Sequence, residues 1–142
     1  MIKLREETGA GVMQCKRALE EAGGDFEKAK GLIAKAGAIK AEAKKERATG
    51  SGLLEAYVHN GRVGVLVEIR CETDFVAKAD AFKELAHDVA MHIAAMDPEN
   101  VESLISQPFV RDESVTIKDL VNAVVGKVGE NIEIRRFTRY EL

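Results

Sequence analysis

The dipeptide Asn60-Gly61 narrows the fold of this chain more than any other feature. Asn-Gly is the preferred pair for a two-residue type I′ turn, because both central residues must take positive φ. The apolar runs at 53–59 and 62–70 flank it, so the segment predicts a β-hairpin. Val63, Val65, Val67 and Ile69 alternate onto one face, and Leu54, Ala56 and Val58 are expected to match them from the partner strand. Such a face needs a cover. A helix over 79–96 supplies one, with Phe82, Leu85, Ala86, Val89, Ala90 and Ile93 in an i, i+3, i+4 stripe, and Asp97-Pro98 ends it. A second covering helix runs from a Thr116 cap to Lys127, burying Ile117, Leu120, Val121, Val124 and Val125, with Gly126 and Gly129 loosening its end. The last strand, over 132–140, has an irregular parity. Ile132 and Ile134 alternate but Phe137 falls on the opposite phase, so the strand either carries a bulge, the favoured reading, or is buried on both faces.

The first forty residues predict three short helices separated by glycine. Leu4 anchors the first, and Thr8-Gly9-Ala10-Gly11 breaks the chain. The second, over 12–22, turns Cys15, Ala18, Leu19 and Ala22 inward and leaves Lys16, Arg17, Glu20 and Glu21 to water. Gly23-Gly24 stops it. Asp25 caps a third helix carrying Phe26, Ala29, Leu32, Ile33 and Ala36 inward, and Gly37 is placed to end it. These residues form a docking module too small to bury much surface alone. From 38 to 52 the sequence turns to Ala, Lys and Glu and then to Thr49-Gly50-Ser51-Gly52, which predicts a solvated helical linker with a flexible end. The expected organisation is therefore α+β: a three-helix module over 1–37, a linker over 38–52, and a core over 53–142 with a small antiparallel sheet covered by helices.

Composition closes off several functional classes. The net charge of −3 mixes Lys and Arg with Asp and Glu, so no global field would gather nucleic acid or an anionic membrane. Lys40, Lys44, Lys45 and Arg47 could grip phosphates, but Glu42 and Glu46 interrupt them. No apolar run approaches the ~20 residues of a spanning helix, and 46% apolar with 32% charged residues fits a folded chain with the cytosol as its expected compartment. Cys15 and Cys71 lie far apart without CxxC spacing and read as small buried hydrophobes.

Enzyme constellations fail on spacing. There is no G-x-x-x-x-G-K-[ST] loop, and Gly9-Ala10-Gly11 sits between helices instead of following a strand. His87 and His92 are five residues apart, unlike the i, i+4 pair of a zinc helix, so no metal site or cofactor is expected. His59 reads as an exposed strand residue. A nucleophilic Cys71 lacks an assignable partner among the three histidines.

One motif stands out. Between the second hairpin strand and its covering helix lies Cys71-Glu72-Thr73-Asp74-Phe75-Val76-Ala77-Lys78. In one reading Thr73 or Asp74 caps the helix and Phe75 extends its buried stripe. In the other, Asp74 and Phe75 project from a rigid corner, the aromatic as an anchor for a partner's pocket and the carboxylate as a directional acceptor. The residues alone leave both readings open.

Three segments in order resemble the elongation factor Ts family, the exchange factors of the translational GTPase EF-Tu. Residues 4–19, Leu-Arg-Glu-Glu-Thr-Gly-Ala-Gly-Val-Met-Gln-Cys-Lys-Arg-Ala-Leu, resemble its N-terminal ubiquitin-associated-like module. Residues 62–76, with Glu72-Thr73-Asp74-Phe75-Val76, resemble its core signature, and Gln107-Pro108-Phe109-Val110 with Arg135-Arg136-Phe137 its C-terminal part. The resemblance implies a non-enzymatic partner of GDP-bound EF-Tu. Thr73, Asp74, Phe75 and Val76 would press near the GTPase's magnesium site with Phe75 as the wedge, and Met13, Lys16 and Arg17 would make second-rank contacts. Two departures qualify it. Gln14 stands where many relatives have an acidic residue, and only about ten residues separate Met96 from Gln107 where relatives place a longer, largely helical stretch. Exposed sheet edges make edge-to-edge homodimerisation an expectation. The competing reading is a generic adaptor that holds another protein through its N-terminal bundle, with the second domain merely structural.

Overall fold

The computed structural model of the protein describes residues 2–142. Three helices come first: α1 (Ile2–Thr8), α2 (Val12–Glu21) and α3 (Phe26–Lys44). The hairpin β1 (Ser51–His59) and β2 (Val63–Cys71) follows, then α4 (Asp74–Ala77), α5 (Asp80–Met96) and α6 (Val101–Ser106). The chain continues through β3 (Pro108–Phe109), β4 (Asp112–Thr116), α7 (Ile117–Val128) and β5 (Glu133–Glu141). The main sheet has the order β1-β2-β5 and is antiparallel throughout, while β3 and β4 form a separate two-stranded ribbon. The α+β class and the helix-covered antiparallel sheet hold.

The hairpin differs from expectation by one residue. Asn60 (φ 52°) and Gly61 (φ 66°) take the positive φ that the turn requires, and Arg62 N donates to His59 O at 3.0 Å. Pairing nevertheless resumes at His59 with Val63, so Arg62 is an extra loop residue. A one-residue slip turns a strand over. Leu53, Glu55 and Tyr57 therefore share the inner face with Ile69, Val67 and Val65, whereas Leu54, Ala56 and Val58 lie on the outer face and are exposed. Tyr57 accounts for the inward choice, packing edge-on against His87 of α5 with ring centroids 5.9 Å apart.

The bulge in the last strand is present. Ile69 pairs with Ile134 but Glu68 with Arg136, so Arg135 is the unpaired residue. That insertion brings Phe137 back to the inner face opposite Val67, which resolves the broken parity. Beneath the sheet lie Phe82, Leu85, Ala86, Val89, Ala90 and Ile93 of α5, all buried and continuous with Val65, Val67, Ile69, Cys71, Leu104, Ile117, Val125 and Ile134. Arg139 closes the layer, donating from Nη2 to Ala94 O at 3.0 Å near the C-terminal end of α5, where a cation also favours the helix dipole. Thr116 and Asp119 form a reciprocal capping box on α7.

The N-terminal helices enclose a second cluster of Leu4, Cys15, Ala18, Ala22 and Ala29. Asp25 caps α3 by accepting from Lys28 N at 3.2 Å. The expected stop at Gly37 does not occur: α3 continues through it to Lys44 and packs along α7. Gly37 is buried where the two helices cross, and a Cβ on Gly126 would stand 3.1 Å from the Gly37 Cα. Paired glycines thus let two helix backbones touch, and close packing overrides the weak helix propensity of glycine. The boundary at 49–52 is also tied down. Thr49 is buried, donates from Oγ1 to Glu133 Oε2 at 3.0 Å and accepts at its carbonyl from Arg70 Nε at 2.8 Å.

His92 is fully buried under the β3–β4 ribbon. Val110 N donates to its Nδ1 at 3.1 Å, so the ring proton sits on Nε2 and is given to Gln107 Oε1 at 2.9 Å. A second proton would have to occupy Nδ1, which already faces an N–H. Burial pushes the His92 pKa below the usual histidine value, the bond to Gln107 opposing it. The unfolded chain therefore binds this proton more readily. Stability from the neutral ring is complete above the unfolded value of about 6.5 and is lost as pH falls through the lower folded one.

Three substitutions test this packing. Melting temperature should fall more steeply between pH 7.5 and pH 5 for the wild type than for His92→Gln, read by circular dichroism; parallel curves would remove His92 as the cause. Gly126→Leu should destabilise by about 1–3 kcal/mol by forcing α3 from α7. Gly31→Ala, at a helical position with open space around it, should instead stabilise by about 0.5–1 kcal/mol in urea titrations.

Candidate functional site

The segment from Cys71 to Val76 leaves the central strand and turns sharply into α4 before α5 begins. Thr73 is the N-cap of α4, its Oγ1 accepting from Val76 N at 3.3 Å. The cap belongs to this separate short helix and not to the long covering one. Val76 is only 4% exposed and packs in the core, anchoring the corner from below. Phe75 points the other way. At 85% exposed it is nearly free of contacts, so it does not continue the buried stripe of α5. A fully exposed phenylalanine forfeits about 1.5–3 kcal/mol of burial, which makes its place at a rigid turn informative.

The polar groups around it hold the backbone. Asp74 is exposed, and Ser51 Oγ donates to its Oδ1 at 2.9 Å. Cys71 is fully buried, and its thiol donates to Thr73 O at 3.2 Å. Burial, with the carboxylate of Glu130 nearby, pushes the Cys71 pKa up, so the group stays a protonated donor and not a nucleophile. From the loop after α7, Glu130 accepts from the amides of Glu72 and Thr73 and from the Thr73 hydroxyl. Glu130, Asn131 and Ser51 carry no local signal of this role: Glu130 lies 57 residues from Thr73 and only the antiparallel pairing of β2 with β5 brings them together.

The second predicted patch lies elsewhere. Met13 is 59% exposed, Lys16 and Arg17 are exposed on the same helix, and Gln14 is half-buried. Helix α2 packs on α1 and α3, whereas α4 packs on β1, β2 and α5, so the two patches occupy separate parts of the molecule. The outer face of the sheet presents a third apolar surface, with Leu54, Val58, Leu66 and Tyr140 all exposed. Both ring nitrogens of His92 are engaged within the core, and among the described residues no cluster of three or more His, Cys, Asp or Glu could hold a metal ion. Among the described residues no helix is long and apolar enough to cross a membrane.

The stretch after α5 is well formed. Asp97 ends α5 in the left-handed conformation, Asn100 caps α6 by accepting from Ser103 N at 2.8 Å, and Leu104 is fully buried.

Comparison with known proteins accords with this architecture. The family model described as Elongation factor TS matches residues 27–102 and 72–142. A protein named Elongation factor Ts from Coprothermobacter proteolyticus is 42% identical over 186 aligned positions, covering 99% of this chain and 94% of that one. Its namesake from Thermotoga petrophila is 43% identical over 184 positions, covering 99% and 92%. A third, from Carboxydothermus hydrogenoformans, is 43% identical over 189 positions, covering 100% and 87%. These alignments are longer than the 142 residues of this chain, so the relatives carry positions that it lacks. With matches that span nearly its whole length, the chain belongs to the elongation factor Ts family of translation elongation factors.

Proposed function

We propose that this protein binds EF-Tu in its GDP form and speeds the release of GDP, making and breaking no covalent bond itself. The observation that carries the reading is Phe75, an exposed aromatic on a corner whose backbone is fixed on both sides. A rigid aromatic loses little conformational entropy on docking and suits a wedge. Directed at the magnesium and phosphate site of a GTPase, Phe75 with Asp74 favours an arrangement in which the nucleotide is held less tightly. Linkage then makes the effect mutual: factor and GDP-magnesium each lower the other's affinity by one factor. Thr73 and Val76 serve as cap and anchor for that wedge, and Met13, Lys16 and Arg17 form the second contact.

A second copy of the chain is the proposed occupant of the outer sheet face. The sheet edges were the expected contact, but the apolar surface lies on the face, at Leu54, Val58, Leu66 and Tyr140. Two such faces related by a twofold axis would pack as a sandwich, in which Leu66, on the central strand, lies between the flanking apolar rows.

The exchange reading is tested with EF-Tu loaded with fluorescent GDP and chased with unlabelled GDP. The wild-type chain should accelerate release, and no change over the spontaneous rate would refute the reading. Phe75→Ala should slow assisted release about tenfold or more while altering stability by less than about 0.5 kcal/mol. Phe82→Ala, at a buried ring, should instead cost about 3–5 kcal/mol. For the dimer, sedimentation at micromolar concentration should give twice the monomer mass, and Leu66→Glu should return it to monomer; a monomeric wild type would end that proposal.

A further inference from the structure

Glu130 follows Gly129, the left-handed C-cap of α7, and precedes Asn131 at the entry to β5. Its carboxylate reaches across to Glu72 and Thr73, where the corner begins. Oε1 accepts from Glu72 N at 3.1 Å and from Thr73 N at 3.0 Å, and Oε2 accepts from Thr73 Oγ1 at 2.7 Å. The tie is reciprocal, because Glu72 Oε2 accepts from Asn131 N at 2.6 Å. Asn131 in turn donates from Nδ2 to Arg47 O at 2.8 Å and to Lys45 O at 3.3 Å, which fastens the end of α3 to the same point.

Thr73 explains why the direction of Phe75 depends on this contact. Its hydroxyl donates to Glu130 and accepts from Val76 N, so a single oxygen joins the carboxylate to the cap of α4. Hydrogen bonds to an ionised acceptor are about twice as strong as neutral ones, and three of them converge here on one group. All three go to residues 72 and 73, and none goes to the core or to α5. The geometry is that of a bracket for the corner.

We infer that Glu130 is a positioning residue for nucleotide release, fixing through Glu72 and Thr73 the direction in which Phe75 leaves the corner. This rests on the exchange reading above for its consequence, but the bracket itself is a property of the free protein. Without the carboxylate, two backbone N–H groups and a hydroxyl lose their acceptor and turn to water. The first turn of α4 then samples several orientations, and Phe75 must be ordered anew each time it docks.

Two measurements on the full chain separate the parts. Amide hydrogen exchange of the free protein compares wild type, Glu130→Gln and Glu130→Ala. In Glu130→Ala the amides of Glu72, Thr73 and Val76 should exchange about tenfold faster, with core amides such as that of Val67 unchanged. Glu130→Gln keeps an oxygen for the two backbone donors and should fall between; it carries the comparison if Glu130→Ala no longer melts cooperatively. Unchanged protection at 72, 73 and 76 would overturn the inference whatever happens with EF-Tu. Fluorescent GDP release at rising factor concentration is the second arm. Glu130→Ala should lower the maximal release rate about tenfold and shift the half-saturating concentration less than about threefold, because the N-terminal contact is untouched. In a Phe75→Ala background it should add nothing further. A full additional loss there, or a shift confined to half-saturation, would overturn the positioning role. If wild type itself fails to accelerate release, the exchange reading falls, while the amide comparison still decides whether Glu130 holds the corner.

Discussion

The inner row of strand β2 bears on almost every other contact in the larger layer. Val65, Val67, Ile69 and Cys71 face α5, while the backbone of the same strand bonds to β1 on one side and β5 on the other. A two-stranded hairpin is marginal in water, and the third strand with a helix across one face makes the sheet stable. The bulge at Arg135 serves the same row, since it returns Phe137 to the side of the sheet where Val67 lies. Because β2 ends at Cys71, the corner that follows inherits its rigidity. The buried thiol and Val76 fix the start and the floor of the turn, and Phe75 is left to project.

The arrangement at the corner shows how little exposed chemistry a binding element needs. Its carboxylates do not form an acid–base pair. They accept hydrogen bonds from backbone amides and from the hydroxyls of Thr73 and Ser51, and so convert a polar loop into a scaffold. Because Glu130 and Asn131 lie in the loop that leads from α7 into β5, the connection that delivers the sheet's third strand also sets the corner.

Much of the core was legible in the sequence because periodicity reports burial directly. The α5 stripe, the Thr116 cap and the bulge in the last strand follow from apolar spacing and side-chain chemistry, and all appear in the structure. The hairpin register was not legible, since Asn-Gly specifies the turn but Arg62 decides whether the loop holds two residues or three. Gly37 misled for a related reason: glycine marks both helix ends and close helix crossings, and only the partner helix distinguishes them. At the candidate site, local sequence left Phe75 balanced between core and surface. Its exposure is a tertiary fact, and so is the reach of Glu130 over a separation that no local pattern encodes.

Helix α3 runs unbroken for 19 residues, about 28 Å, from the cap at Asp25 to Lys44, just before the Lys45 and Arg47 carbonyls held by Asn131. It acts as a bar beneath the N-terminal helices, and the glycine crossing with α7 clamps it. A tether between two binding elements would let each search independently, at an effective concentration set by its slack. A bar permits no search. Under the proposed two-point docking, a partner seated on the N-terminal helices would meet the phenylalanine at one fixed span, as an object meets a caliper locked at a single width.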